Sequence, residues 1–147
     1  MRSKEPRILL PLLVVFLLAA MQIGSAAQAN SASSQEVRLQ ALNVVRVFNT
    51  AEIETMAAAK HYVSFEEIVK SGRLPEMAKR YRNANWTGVD FQTPEPVPGW
   101  QLRLVVAPDG QSYKLSLIQK DGACRFGYFS DEAGIIYHGK AIDCPVD

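Results

Sequence analysis

Between Val37 and Tyr62 side chains of one kind return every three or four positions: Val37, Ala41, Val44, Phe48, Ala51, Thr55, Ala59 and Tyr62. At about 100° per residue these fall within about 40° of one line, the signature of one helical face. Val45 and Met56 widen the stripe, while Arg46 and Glu54 lie away from it. With Ser33-Ser34-Gln35-Glu36 able to form a capping box, the pattern predicts a long amphipathic helix over about 34–61. Its far side is not wholly polar. Leu39, Ile53 and Ala57 gather there, either as scattered exposed apolar groups or as a docking surface.

Ser64-Phe65-Glu66-Glu67 repeats the capping box, with Val63 and Ile68 placed for a hydrophobic staple. A short helix over about 65–71 is expected to stop near Gly72, which suits the left-handed position beyond a helix end. After Pro75, residues 76–82 can form another helical turn, and Lys79, Arg80 and Arg82 make its face basic. Residues 83–99 read as a loop, because Pro94, Pro96 and Pro98 suit neither a helix nor a central strand. Trp86 and Phe91 lie within it, either pinning the loop to the body or awaiting a partner.

From Trp100 the period falls to two. Trp100, Leu102, Leu104 and Val106 alternate with polar positions, and Tyr113, Leu115 and Leu117 resume the alternation after Pro108-Asp109-Gly110. Strands are expected over about 100–107, 112–119, 124–130 and 135–138, joined by short turns into an antiparallel meander. A sheet this small needs a cover, and the long helix is the element that fits. The expected fold class is α+β: a long N-terminal amphipathic helix packed on a four-stranded antiparallel sheet.

The N-terminus changes the picture of where such a domain resides. Three basic residues (Arg2, Lys4, Arg7) precede a 14-residue apolar run, Ile8–Met21, and a small-x-small exit at Ala27-Gln28-Ala29. That is the form of a cleavable secretory signal over 1–29, followed by a domain over 30–147. The run falls short of the roughly 20 residues that cross a hydrocarbon core, so no stable membrane span is expected after cleavage. A retained N-terminal anchor is the alternative. The chain has 147 residues, 48% hydrophobic and 21% charged, enough for one domain. Beyond residue 29 there are 13 basic and 14 acidic residues, a balance that argues against nucleic acid as partner. Cys124 and Cys144 both fall in the exported part, where an even count points to one disulfide.

The succession of long helix, variable loop, meander and C-terminal disulfide resembles the head domain of type IV pilins and type II secretion pseudopilins. Val45–Thr55, containing Asn49-Thr50-Ala51-Glu52, and the following His61–Ile68 resemble the helix-to-loop passage of those proteins. Cys124 through Phe129 and Gly134 to Tyr137 resemble their closing hairpin, so the likeness spans residues 36–144. Members of that family carry a glycine and then a phenylalanine or methionine before an apolar helix with glutamate at its fifth position. No such junction precedes Ile8. The chain therefore looks like a pilin head fitted with an ordinary secretory signal, which counts against polymerisation through a shared apolar core.

Candidate chemistry is sparse. His61 and His138 are far apart in sequence, with no nucleophile motif to complete a triad and no glycine-rich phosphate loop. Calcium is implied as a cofactor only by analogy with some pseudopilins, with Asp131, Glu132 and Asp143 as the candidate ligands; turn and solvent roles compete, and no cofactor is expected. The sequence thus leads to an exported, periplasmic or extracellular, non-enzymatic pilin-like domain. Protein partners are expected, other pilin-like subunits among them, through Leu39/Ile53/Ala57 or Trp86/Phe91. A free-standing secreted ligand-binding or inhibitor module is the first alternative, and an exported hydrolase using a histidine the second.

Overall fold

A computed structural model describes the backbone of residues 9–140 and 144 and the side chains of residues 34–140 and 144. The basic start of the expected signal (1–8) and the candidate calcium ligand Asp143 lie outside the described residues. The chain divides into two compact units, 1–36 and 37–147. The first contributes helical backbone from Leu9 onward. All packing described below belongs to the second.

The elements are α1 (Leu9–Ala59), α2 (Phe65–Lys70), α3 (Arg73–Arg80), β1 (Trp100–Val106), β2 (Tyr113–Gln119), β3 (Phe126–Asp131) and β4 (Tyr137–Lys140). The expected start of α1 near residue 34 is corrected, since the helix is already formed at Leu9. Residues 25–59 contain neither glycine nor proline, so nothing in the polar stretch breaks the helix. It also stops at Ala59, two residues early. Lys60 takes a positive φ of 66°, which turns the chain out of the helix.

Much of the expected stripe is buried. Ala41, Val44, Phe48 and Ala51 have no exposed surface, and Val45 joins them. Ala59 is exposed. Tyr62 is buried although it lies beyond the helix, its ring meeting that of Tyr113 at 4.7 Å. The loop after α1 places it there through Tyr62 N–H, which donates to Gly110 O at 2.8 Å.

Ser64 caps α2 as expected. Its hydroxyl accepts from Glu67 N–H, and its own N–H donates to Glu67 Oε2 at 2.9 Å, a reciprocal capping box. That bond holds the Glu67 carboxyl below its usual range. Gly72, at φ 69°, ends α2 in the left-handed region and leads directly into α3. The third helix starts at Arg73, earlier than the expected 76, because Pro75 sits in its first turn, where a missing N–H costs no helical bond.

The four strands form one antiparallel sheet in the order β1-β2-β3-β4. Trp100 pairs with Gln119 and Val106 with Tyr113; Leu117 pairs with Tyr128, and Phe129 with Tyr137. β3 begins at Phe126, later than the expected 124, and β4 runs 137–140 where 135–138 was expected. Residues 132–136 supply the turn instead, with Asp131 Oδ1 accepting from Ala133 N–H at 3.1 Å. Trp100, Leu102, Tyr113, Leu115, Leu117 and Tyr128 are buried and belong to one hydrophobic cluster with Phe48, Ile68, Leu74 and Val97. Cys124 and Cys144 form a disulfide, with Cα atoms 5.5 Å apart.

Candidate functional site

Two surfaces and one buried polar cluster stand out once the core is accounted for. The cluster lies where the sequence pattern shows a simple apolar stripe. Asn49, Glu52 and Thr55 of α1 are buried beside Phe48 and Ala51. Tyr113 Oη donates to Asn49 Oδ1 at 3.0 Å, Asn49 Nδ2 donates to Ser130 Oγ at 2.7 Å, and Ser130 Oγ donates to Ile135 O at 2.9 Å. One line of hydrogen bonds therefore joins residues of α1, β2, β3 and the β3–β4 turn, and each member is satisfied. Such satisfied networks fix one arrangement, because any slip leaves a polar group unpaired. Burial raises the Tyr113 phenol well above its usual range, so it stays a donor.

Glu52 is different. Its Oε2 accepts from Val63 N–H at 3.1 Å, while Oε1 is buried with no hydrogen-bond partner. Burial is the main cause that lifts its pKa from 4.5 to about 7, with the nearby Glu67 carboxylate adding to the lift. The Asn49–Glu52 word that carried the family resemblance thus consists partly of buried polar groups. Their positions beside Phe48 and Ala51 on the helix are the signal that could have found them.

The first surface is the outer face of the sheet. The register aligns Arg103, Ser116, Phe129 and Tyr137 in one row across all four strands. Phe129 is 41% and Tyr137 57% exposed, and Val105 and Ile135 are exposed nearby. Phe129 leans over Gly127: a Cβ placed there would meet its ring at 3.0 Å and Ile118 at 3.1 Å. Glycine at 127 leaves room for that ring. A groove of about 490 Å3 follows this row, edged by Arg103, Lys114 and Asp131. None of these residues was singled out as a partner contact from sequence. Alternation does mark Arg103, Lys114 and Phe129 as outward-facing positions.

The second surface is the outer side of α1. Leu39 (52%) and Ile53 (47%) are exposed, as is Ala57, in agreement with their helical phase. They do not form one continuous apolar strip. The exposed Arg46 and the half-buried Thr50 lie between them, with Thr50 Oγ1 3.0 Å from Tyr81 Oη. Ile53 instead approaches the β3–β4 turn, 3.4 Å from where a Gly134 Cβ would lie.

Trp86 and Phe91 are half-buried. Their rings lie 5.6 Å apart, and Phe91 lies 6.4 Å from Phe48 of the core. The loop that carries them is tied down at several points. Gln40 Nε2 donates to Thr87 O, Asp90 N–H to Pro96 O, and Leu102 N–H to Pro94 O. Val97 is fully buried.

The histidines have different neighbours. His61 Nδ1 lies 3.0 Å from Ala59 O beside Gly110, whereas the His138 ring faces Phe126 at 5.7 Å. Of the calcium candidates, Asp131 is engaged in its own turn and Glu132 is exposed. Among the described residues no three or more His, Cys, Asp or Glu side chains gather as a metal site. Among the same residues no helix is long and apolar enough to cross a membrane. The chain matches no family model, no curated protein and no solved structure.

Proposed function

We propose that this chain is an exported, pilin-like domain that works by binding protein partners and carries out no catalysis. In this reading the stripe of α1 lies across the inner face of the sheet, fastened through Asn49, and the outer face receives a partner. The carrying observation is the exposed row through Phe129 and Tyr137 beside its groove. Aromatic groups flanked by charges of both signs are the composition of protein–protein contact surfaces. The occupant is another pilin-like subunit. Support for the family reading comes from the order of helix, meander and C-terminal disulfide along the chain. The disulfide also favours an oxidising compartment, periplasmic or extracellular.

The test uses the protein from its native host. Mass spectrometry of the N-terminus is expected to find Asn30 first; a chain still carrying Met1 overturns the cleaved, exported form. A photo-crosslinking residue at position 129 or 137 is expected to capture pilin-like subunits. Capture only from positions 85–98 transfers the function to the proline loop, as a free-standing binder requires. No adduct from either surface overturns the assembly reading.

A further inference from the structure

A second groove, of about 440 Å3, is formed by Leu39, Asn43 and Arg46 of α1 and the segment 80–84 that ends α3. Its lining carries three guanidinium groups and no carboxylate. Among the described residues one of these charges is answered by a carboxylate, since Arg80 pairs with Glu54. Arg46 Nη1 donates at 3.0 Å to Asn43 Oδ1, a neutral acceptor, and among the described residues Arg46 forms no ion pair with a carboxylate. Among the described residues Arg82 pairs with no carboxylate. The two walls are fixed to each other, because the Tyr81 hydroxyl lies 3.0 Å from Thr50 Oγ1 and 3.4 Å from Arg46 O. At one end the exposed side chain of Leu39 adds an apolar wall.

We infer that this groove holds an acidic segment of a partner protein. Its carboxylates meet Arg46 and Arg82, and an apolar side chain lies on Leu39. A guanidinium presents paired donors that match a carboxylate, so two unanswered arginines facing one groove select a ligand with repeated negative charge. Nucleic acid fits poorly. It draws its affinity from extended basic surface, whereas the chain beyond residue 29 holds 13 basic and 14 acidic residues. A free inorganic anion would use the arginines and leave Leu39 idle; an acidic peptide uses both. The inference rests on the protein-binding reading above in one respect, that the ligand is a protein, and it gives that partner its chemistry.

Fluorescence anisotropy on the full chain tests it, with a labelled peptide of alternating glutamate and leucine as probe. Saturable binding is expected, weaker as salt is raised. It should fall about tenfold or more in the double variant Arg46→Gln, Arg82→Gln, the scale of losing a charge-assisted contact. Both side chains are exposed, so circular dichroism of the variant should match the wild type. A glutamine–leucine peptide should bind as weakly to the wild type as the acidic peptide does to the double variant. Lys70→Gln, at the exposed end of α2 and lining neither groove, should bind like wild type. Absence of saturable binding, or equal affinity in the double variant, overturns the inference. So does inorganic phosphate or a short oligonucleotide displacing the peptide from the arginines at lower concentration than unlabelled peptide. Absence of crosslinks from positions 129 and 137 would strike the assembly reading while leaving these affinities as measured, so the two failures are told apart.

Discussion

Glu52 gives the sharpest test of the buried interior. Its carboxyl is fully buried, one oxygen accepts from Val63 N–H, and the other has no partner. Removing it from water penalises the ionised form, and its pKa in the folded protein rises from 4.5 to about 7. Below pH 4.5 the group is protonated both folded and unfolded, so it adds no pH dependence. Between 4.5 and 7 the folded chain keeps a proton that the unfolded chain has released, and stability falls as pH rises. Each unit of the pKa difference is worth about 1.4 kcal/mol, so the full loss approaches about 3 kcal/mol above pH 7.

Glu52→Gln keeps the shape and an acceptor for Val63 but cannot ionise. Urea unfolding followed by tryptophan fluorescence, with the disulfide intact, measures both proteins across pH. Near about pH 5 the two should be close; by about pH 8.5 the variant should be more stable by about 2–3 kcal/mol. Titrating groups that do not interact with Glu52 are common to both and cancel in the difference, and Tyr62 and Tyr113 stay protonated across this range. Glu52→Ala separates the two roles of the side chain, since it also removes the acceptor and should cost about 1–3 kcal/mol where the wild-type carboxyl is protonated. A wild-type-to-glutamine gap that stays constant with pH, or one that turns against the variant as pH rises, refutes the reasoning.

Two further variants probe the same interior, and a third probes the disulfide. Phe48→Ala removes a fully buried ring that meets Phe65 at 6.0 Å and Phe91 at 6.4 Å; it should cost about 3–5 kcal/mol in urea unfolding. Asn49→Ala leaves the Tyr113 hydroxyl without its acceptor and Ser130 without its donor, and about 1–3 kcal/mol should be lost by the same measurement. Replacing Cys124 and Cys144 together by serine releases a loop of 20 residues and should lower stability by about 3 kcal/mol, read as a fall in the thermal midpoint.

The elements most legible in the sequence are those in which local chemistry and burial point the same way. Ser64 and Glu67 form their capping box because both partners lie within one turn, and Gly72 ends α2 where a left-handed residue is needed. The alternation from Trp100 to Leu117 marks the inner face of the sheet because side chains in a strand point to opposite sides in turn. Boundaries were harder wherever a residue's role is set by distant contacts. β4 begins at Tyr137 because its partner there is Phe129, a pairing that composition around Ile135 does not contain. The stripe on α1 placed Tyr62 in the core by continuing a helix that has already ended. The burial is right, but its cause is the Gly110 turn and the Tyr113 ring.

What periodicity could not reveal is that the buried side of α1 is partly polar. A hydrophobic stripe is read by counting apolar groups, so Asn49 and Glu52 register as gaps beside Phe48 and Ala51. In the folded chain they occupy the same interior for opposite reasons. Asn49 finds hydrogen-bond partners in residues 64 and 81 positions away, and it therefore ties α1 to β2 and β3. Glu52 has half a set, and it therefore titrates where an ordinary glutamate would not. Neither property is local, since both depend on atoms that only the tertiary fold brings within 3.1 Å. The same holds for the arginine groove. Arg80 and Arg82 alone read as a solvated basic turn, and they acquire a shape only when Tyr81 holds that turn against Arg46 and Leu39. Charge close together in sequence suggests solvation; charge brought together from separate elements, walled and unanswered, suggests a ligand.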